Sequence, residues 1–439
     1  MPRRRQYEPL RVYLNNRLVG RLTKEPSGAI GFQYDESWLS WEHALPVSLS
    51  LPLREDAYRG EPVAAVFENL LPDSDALRRT VAEKVGARGS DAYSLLAEIG
   101  RDCVGALQFI ADSDEVIDTT GAIEGDALDD AAIERLLSSL KQAPLGLSRD
   151  DEFRISVAGA QEKTALLWHD GQWLKPHGTT PTTHMFKTQI GQLPNGIDLS
   201  NSVENEYYSL KFIEAFGLPV NAAEIKTFGE TTALVIERFD RRWTREGRLL
   251  RMPQEDCCQA LSVPPTLKYQ SDGGPGMVAI LNLLKGSDTP AEDQAVFIKA
   301  QILFWLLGAT DGHAKNFSVF LGPGDSYRMT PLYDVLTAQP SLDSRQIERK
   351  QMKLAMSVGK KRRYRIDQVH ARHFVQTGGE ARLPKAVVVS ALEEIAENAE
   401  GAIERVQASL PADFPAYIHE SVSTAVKARL RSLELVDSP

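Results

Sequence analysis

From Leu10 to Leu22 apolar and polar residues alternate on either side of Asn15-Asn16, which is the pattern of two strands joined by a two-residue turn. Phe32 and Tyr34 mark another strand, and Trp38, Leu39 and Trp41 are expected to pack beneath it. Residues 62–71 read as a helix that opens at Pro62 and stops before Pro72. Further short helices are expected at 80–85 and 92–99, and a strand at 104–110. The first 110 residues thus predict a compact α+β unit.

A polar, glycine-containing stretch from Asp112 to Asp130 reads as a loose connection. It leads to a helix at 131–139 and strands at 163–168, 173–175 and 183–188. Residues 204–216 place Tyr207, Leu210, Lys211 and Glu214 at helical spacing, ending at Gly217, before strands at 222–227 and 232–239. From Gln254 the texture turns helical, at 276–284, 293–307, 383–408 and 417–433. The clearest is 293–307, where Phe297, Ile302, Phe304, Trp305 and Leu306 crowd one broad side. The layout is α+β and two-lobed. Residues 1–110 form an N-terminal subdomain, 111–253 complete a β-rich N-terminal lobe, and 254–439 make an all-α C-terminal lobe. No internal repeat is evident.

Composition narrows the class. With 42% hydrophobic and 25% charged residues the chain is ordinary for a globular protein. A net charge of −10 argues against a general DNA-coating protein, although Arg3 to Arg5 and Lys360 to Arg365 form local basic runs. The three cysteines, Cys103, Cys257 and Cys258, suit neither a disulfide framework nor a zinc site, so a reducing cytoplasm is expected. The N-terminal arginines lack the apolar run of a signal peptide, and no stretch is long and apolar enough for a membrane span, so no membrane partner is expected.

The most specific chemistry lies in Gly308-Ala-Thr-Asp-Gly-His-Ala-Lys-Asn316 and Pro331-Leu-Tyr-Asp334. Phosphoryl transfer needs a carboxylate to orient the attacking hydroxyl and oxygen ligands for Mg2+ on the phosphates of ATP. Asp311 and Asn316 are five apart, the gap between the aspartate and asparagine of the protein-kinase catalytic loop. Asp334 supplies the second metal carboxylate. The histidine and arginine that precede the kinase aspartate are absent, and each residue alone would serve equally as a turn former or helix cap. His313 reads as a hydrogen-bonding orienter at the nucleotide site. Lys187 is the candidate for holding the α- and β-phosphates, with Lys163 its rival. Leu234 to Asp240 fits the hinge that receives adenine, through the backbone around Glu237 and Phe239. Ser156 precedes Ala158-Gly159-Ala160, small residues that let backbone amides approach a phosphate, or else simply form a tight turn.

The segments FRISVAGAQEK, TPTTH, VENEYY, ERFDRRW, PQEDCCQ, KYQSDGGPG, GATDGHAKNFSV and LYDV, with NLLPDS and EIGRDCVGAL nearer the N-terminus, resemble the HipA family of bacterial toxin kinases, in order over nearly the whole chain. The resemblance implies a protein-kinase-like fold with an elaborated N-terminal lobe. It implies Asp311 as catalytic base, Asn316 and Asp334 as magnesium ligands, Lys187 on the phosphates, and Ser156 as an autophosphorylated serine whose modification withdraws the glycine-containing loop. It further implies glutamyl-tRNA synthetase as substrate, with growth arrest and persistence as the outcome. A HipB-like helix-turn-helix antitoxin would be the partner, reaching operator DNA, with Lys360 to Arg365 facing its phosphates. Two rival functions are a kinase for a small molecule or lipid, and a non-catalytic co-repressor holding antitoxin and DNA.

Overall fold

Asn15 and Asn16 take left-handed backbone angles, φ 46° and 68°, the pair that a two-residue hairpin turn demands and that asparagine tolerates. The turn joins Leu10–Leu14 to Arg17–Lys24 in a five-stranded antiparallel sheet completed by Ile30–Tyr34, Tyr58–Arg59 and Leu107–Ala111. Helices Glu61–Glu68 and Ala92–Ile99 pack on it and bury Phe67, Leu95 and Leu96. The computed structural model describes residues 7–113, 121–147, 155–156 and 161–433. The chain divides into two units, and the division is not linear along it. The first contains Met1–Thr188, Lys226–Thr266 and Ser318–Tyr327; the second contains Gln189–Ile225, Leu267–Phe317 and Arg328–Pro439.

The first unit holds a second antiparallel sheet, in which Thr231–Glu237, His184–Thr188, Lys163–His169, Gln172–Pro176 and Gly125–Leu128 lie side by side. Helix Asp130–Ser138 covers one face, with Ile133 and Leu137 buried against Leu166, Trp173, Phe186 and Val235. Gly125–Leu128 lies inside the stretch expected to be loose. As an edge strand with no buried side chain it gives no alternating hydrophobic signal.

Beneath these elements sits a closed ionic network. Asp102 accepts from Arg241 (2.8 Å) and Arg251 (3.0 Å) on one oxygen, and from Arg238 (3.2 Å) and both donors of Thr182 (2.7 and 3.0 Å) on the other. Asp240 pairs with Arg238 and accepts from the Gly105 amide at 2.7 Å. All five charged groups are buried. Burial alone would push the Asp102 carboxyl up, but Arg241, Arg238 and Arg251 together hold it well below the usual carboxylate range. Burial draws the Arg251 guanidinium down to about 10 against the pull of Asp102. Three motifs, EIGRDCVGAL, TPTTH and ERFDRRW, thus meet in one structural knot.

The second unit is built around Pro290–Leu307, whose residues are buried on nearly every side from Phe297 onward. A helix apolar all round must be enclosed, and Ser202–Ala215, Met277–Leu283, Ala371–Glu380, Lys385–Ser409 and Ala416–Leu430 pack against it. The part after Gln254 is mainly, not wholly, helical. Gln254–Asp256 pairs with Ser318–Leu321 in the first unit, and Lys353–Val358 pairs with Arg363–Arg365 in the second. These strands are short and their hydrophobic pattern does not stand out from the flanking helices. Cys257 and Cys258 are small core residues of a one-turn helix.

Candidate active site

Helix Pro290–Leu307 ends at Gly308, in left-handed backbone (φ 76°) where a Cβ would meet the Met352 methyl at 2.9 Å. The chain leaves as an irregular segment to Asn316. A second segment, 331–338, runs beside it: Ala309 bridges to Thr337, the Thr337 hydroxyl donates to the Leu307 carbonyl at 2.6 Å, and the Ala338 amide donates to the Gly308 carbonyl at 3.0 Å. The two segments are therefore locked in register before any ligand arrives.

Asn316 joins them at their chemistry. Its buried side-chain amide donates to the main-chain carbonyls of both Asp311 (2.9 Å) and Asp334 (3.2 Å). With the nitrogen spent on those carbonyls, the amide oxygen is the end left to act as a metal ligand. Asp334 itself sits in left-handed backbone, φ 58°, an arrangement that costs about 1 kcal/mol for a non-glycine residue. Next to it, the Tyr333 hydroxyl donates to the Lys315 carbonyl at 2.8 Å. An amide oxygen and a carboxylate form an oxygen-only set that suits Mg2+, which takes few protein ligands and completes its shell with phosphates and water. No cluster of three or more His, Cys, Asp or Glu that could hold a metal ion occurs among the described residues.

Asp311 is the exposed member, its side chain 54% accessible. Its Oδ1 accepts from the Tyr269 hydroxyl, and the buried His313 lies with Nε2 at 4.0 Å from the same oxygen. The Tyr269 and His313 rings meet edge to face, centroids 4.9 Å apart. Tyr269 was not legible as a site residue from spacing; the only signal was that KYQSDGGPG belongs to the segments shared with the family.

In the first unit Lys187 and Lys163 lie directly opposite each other on antiparallel strands, and both are buried. Opposed residues share a face of the sheet, so the two rivals are one locus. Glu237 is exposed and pairs with His184 at the other end of the Lys187 strand, while the Phe239 ring stands edge-on to Phe320 at 5.7 Å. Ser156 is fully buried, in a parallel pairing of Ile155–Ser156 with Asp102–Cys103, and its hydroxyl donates to the Leu70 carbonyl at 2.7 Å. Ala158 and Gly159 lie outside the described residues. Gln161, just beyond them, donates to the Thr188 carbonyl at 2.8 Å, next to Lys187.

The chain matches the HipA N-terminal domain over residues 10–110 and the HipA-like C-terminal domain over residues 155–403. It is 33% identical over 435 residues to the "Putative kinase Y4mE" of Sinorhizobium fredii, covering 97% of this chain and 99% of that one. It is 24% identical over 417 residues to the serine/threonine-protein kinase toxin HipA of Shewanella oneidensis, covering 92% and 90%. Among solved structures, the Shewanella oneidensis complex of HipA, HipB and operator DNA contains a chain that superimposes with TM-score 0.80 at 23% identity, over 97% of this chain and 99% of that one. No helix among the described residues is long and apolar enough to cross a membrane.

Proposed function

Because the chain belongs to the HipA family of kinase toxins, we propose that it transfers the γ-phosphoryl group of ATP to serine hydroxyls, with glutamyl-tRNA synthetase as its protein substrate and Ser156 as its own modified site. The observation that carries this reading is Asn316, whose one amide ties the backbone of both carboxylate residues. That geometry suits a loop that must hold a base and a metal ligand at fixed separation. Asp311 would orient the acceptor hydroxyl and take its proton. Asn316 Oδ1 and the Asp334 carboxylate would hold Mg2+, which supplies charge neutralisation on the phosphates when bound. Lys187, with Lys163 opposite, would hold the α- and β-phosphates, and the backbone at Glu237 and Phe239 would take the adenine edge.

The buried Ser156 hydroxyl fits a regulatory role. A phosphate adds about −1.5 to −2 charges, which the site under the Leu70 carbonyl cannot accept without moving. Modification therefore requires Ile155–Ser156 to leave Asp102–Cys103, and this supports a reading in which the adjoining loop is re-routed and the enzyme stops. The partner would be a HipB-like antitoxin, with operator DNA reached in the complex. Lys360, Lys361 and Arg362 are exposed in a hairpin turn and would face phosphates. Arg365 contributes less, since Asp367 holds it through two contacts of 3.0 and 2.6 Å. Burial, with Arg363 and Arg372 next in weight, pulls the nearby His373 down to about 4, consistent with a positive local field. Arg3 to Arg5 lie outside the described residues.

Two substitutions test the nucleotide and regulatory parts. Lys187→Ala should weaken ATP binding by about tenfold or more, read by calorimetry, as expected for loss of a charge-assisted phosphate contact. An unchanged affinity, with a loss in Lys163→Ala instead, reassigns the contact to Lys163. Ser156→Ala should remove the major self-phosphorylated peptide and keep transfer to added glutamyl-tRNA synthetase. Phosphate found mainly elsewhere contradicts the Ser156 assignment, and an unmodified synthetase reopens the substrate.

A further inference from the structure

The loop 268–276 has no assigned task, yet its geometry is built around one contact. Tyr269 opens a short turn, Gln270–Asp272, closed by Gly273 at φ 101°. The Gly274 amide returns to the Tyr269 carbonyl at 3.0 Å. A Cβ on Gly274 would lie 1.7 Å from the Leu267 carbonyl oxygen, so the loop closes this tightly only with glycine there, and one on Gly276 would lie 2.4 Å from the Gln270 side-chain amide, which would have to shift. Gln270 anchors it by accepting from the Ser357 amide at 2.7 Å, and the Lys268 carbonyl accepts from the Ala314 amide at 3.4 Å, within the Asp311–Asn316 segment. A closed, doubly anchored loop thus delivers one phenol hydroxyl to Asp311 Oδ1.

We infer that Tyr269 is a positioning residue for phosphoryl transfer: its hydroxyl pins the Asp311 carboxylate in the orientation that meets the acceptor hydroxyl. This rests on the reading of Asp311 as the base. Asp311 has more than half of its side chain accessible, and a carboxylate so exposed samples several rotamers unless something holds it. An O–H donor to an ionised oxygen is among the stronger hydrogen bonds a protein makes. His313 is too far for a direct bond at 4.0 Å and instead supports the Tyr269 ring edge-on. The hydroxyl holds the carboxylate; the ring and His313 hold the hydroxyl.

The test separates hydroxyl from ring. Tyr269→Phe keeps the ring against His313 and removes only the donor; Tyr269→Ala removes both. Rates of phosphate incorporation from saturating Mg-ATP are measured by intact mass for wild type, both variants and Asp311→Asn, with ATP affinity measured by calorimetry. Tyr269→Phe should slow transfer by roughly 10- to 100-fold with ATP affinity unchanged, and Tyr269→Ala should fall little further. A Phe variant as fast as wild type beside a slow Ala variant means the ring only packs, and overturns the inference. A faster Phe variant means the phenol obstructs the acceptor, and overturns it as well. Wild type without transfer, or Asp311→Asn with full transfer, instead overturns the underlying reading of the base.

Discussion

Asp311→Asn should lower the rate of phosphoryl transfer from ATP by at least about a thousandfold, at the upper range for loss of a positioned base, while the protein stays folded and keeps its ATP affinity. Asparagine has the shape of aspartate but cannot take the acceptor's proton. The backbone around it is held by contacts that do not use the carboxylate: the Asp311 carbonyl accepts from both the Asn316 side chain and the His313 amide. An exposed isosteric change away from buried networks shifts stability by about 0.5 kcal/mol or less. Single-turnover transfer, circular dichroism and calorimetry on one preparation check all three parts. Loss of transfer together with loss of folding would leave Asp311 a structural residue.

Asp102→Asn should destabilise the protein by about 3–5 kcal/mol, because it removes a buried charge and leaves Arg238, Arg241 and Arg251 with Asp240 as the remaining carboxylate of the network among the described residues. Urea denaturation reads the effect directly. The same residue gives the acid limb of stability its direction. Asp102 and Asp240 are both held below their ordinary value of 3.8 by the surrounding arginines, against the opposing effect of burial. Above pH 3.8 their contribution is present in full. Below it the unfolded chain binds protons that the folded chain refuses, so stability falls as the pH drops toward the folded values. The variant should start lower and lose less than wild type as the pH falls from about 4 to about 2. An equal acid slope in both proteins would place the acid sensitivity elsewhere.

Much of the fold could be read in advance where one local signal dominates. Asn15-Asn16 announces its hairpin, Gly217 and Gly308 end their helices, and 293–307 declares itself by apolar density alone. The illegible elements carry no hydrophobic pattern of their own: Gly125–Leu128 at a sheet edge, and the short strands at 254–256, 318–321 and 353–358. Return of 318–327 to the first unit depends on a long-range pairing, and nothing in a local window encodes that. The site divides the same way. Asp311, Asn316 and Asp334 stood out because the chemistry expected of a phosphoryl-transfer site restricts residue type and spacing. Arg238 lies inside the segment expected to be the hinge and Arg241 just past it, and both are structural partners of Asp102. Tyr269 lies 42 residues from Asp311 in the chain, and only the folded loop brings the two together.

The proposed function requires that phosphate move from ATP through Asp311. Intact-mass spectrometry of phosphatase-treated protein, incubated with Mg-ATP beside Asp311→Asn, tests it most directly. The wild type should incorporate one or more phosphates and the variant none. Unmodified wild type, in the presence and absence of glutamyl-tRNA synthetase and with the synthetase also unmodified, or equal incorporation by both proteins, would contradict it.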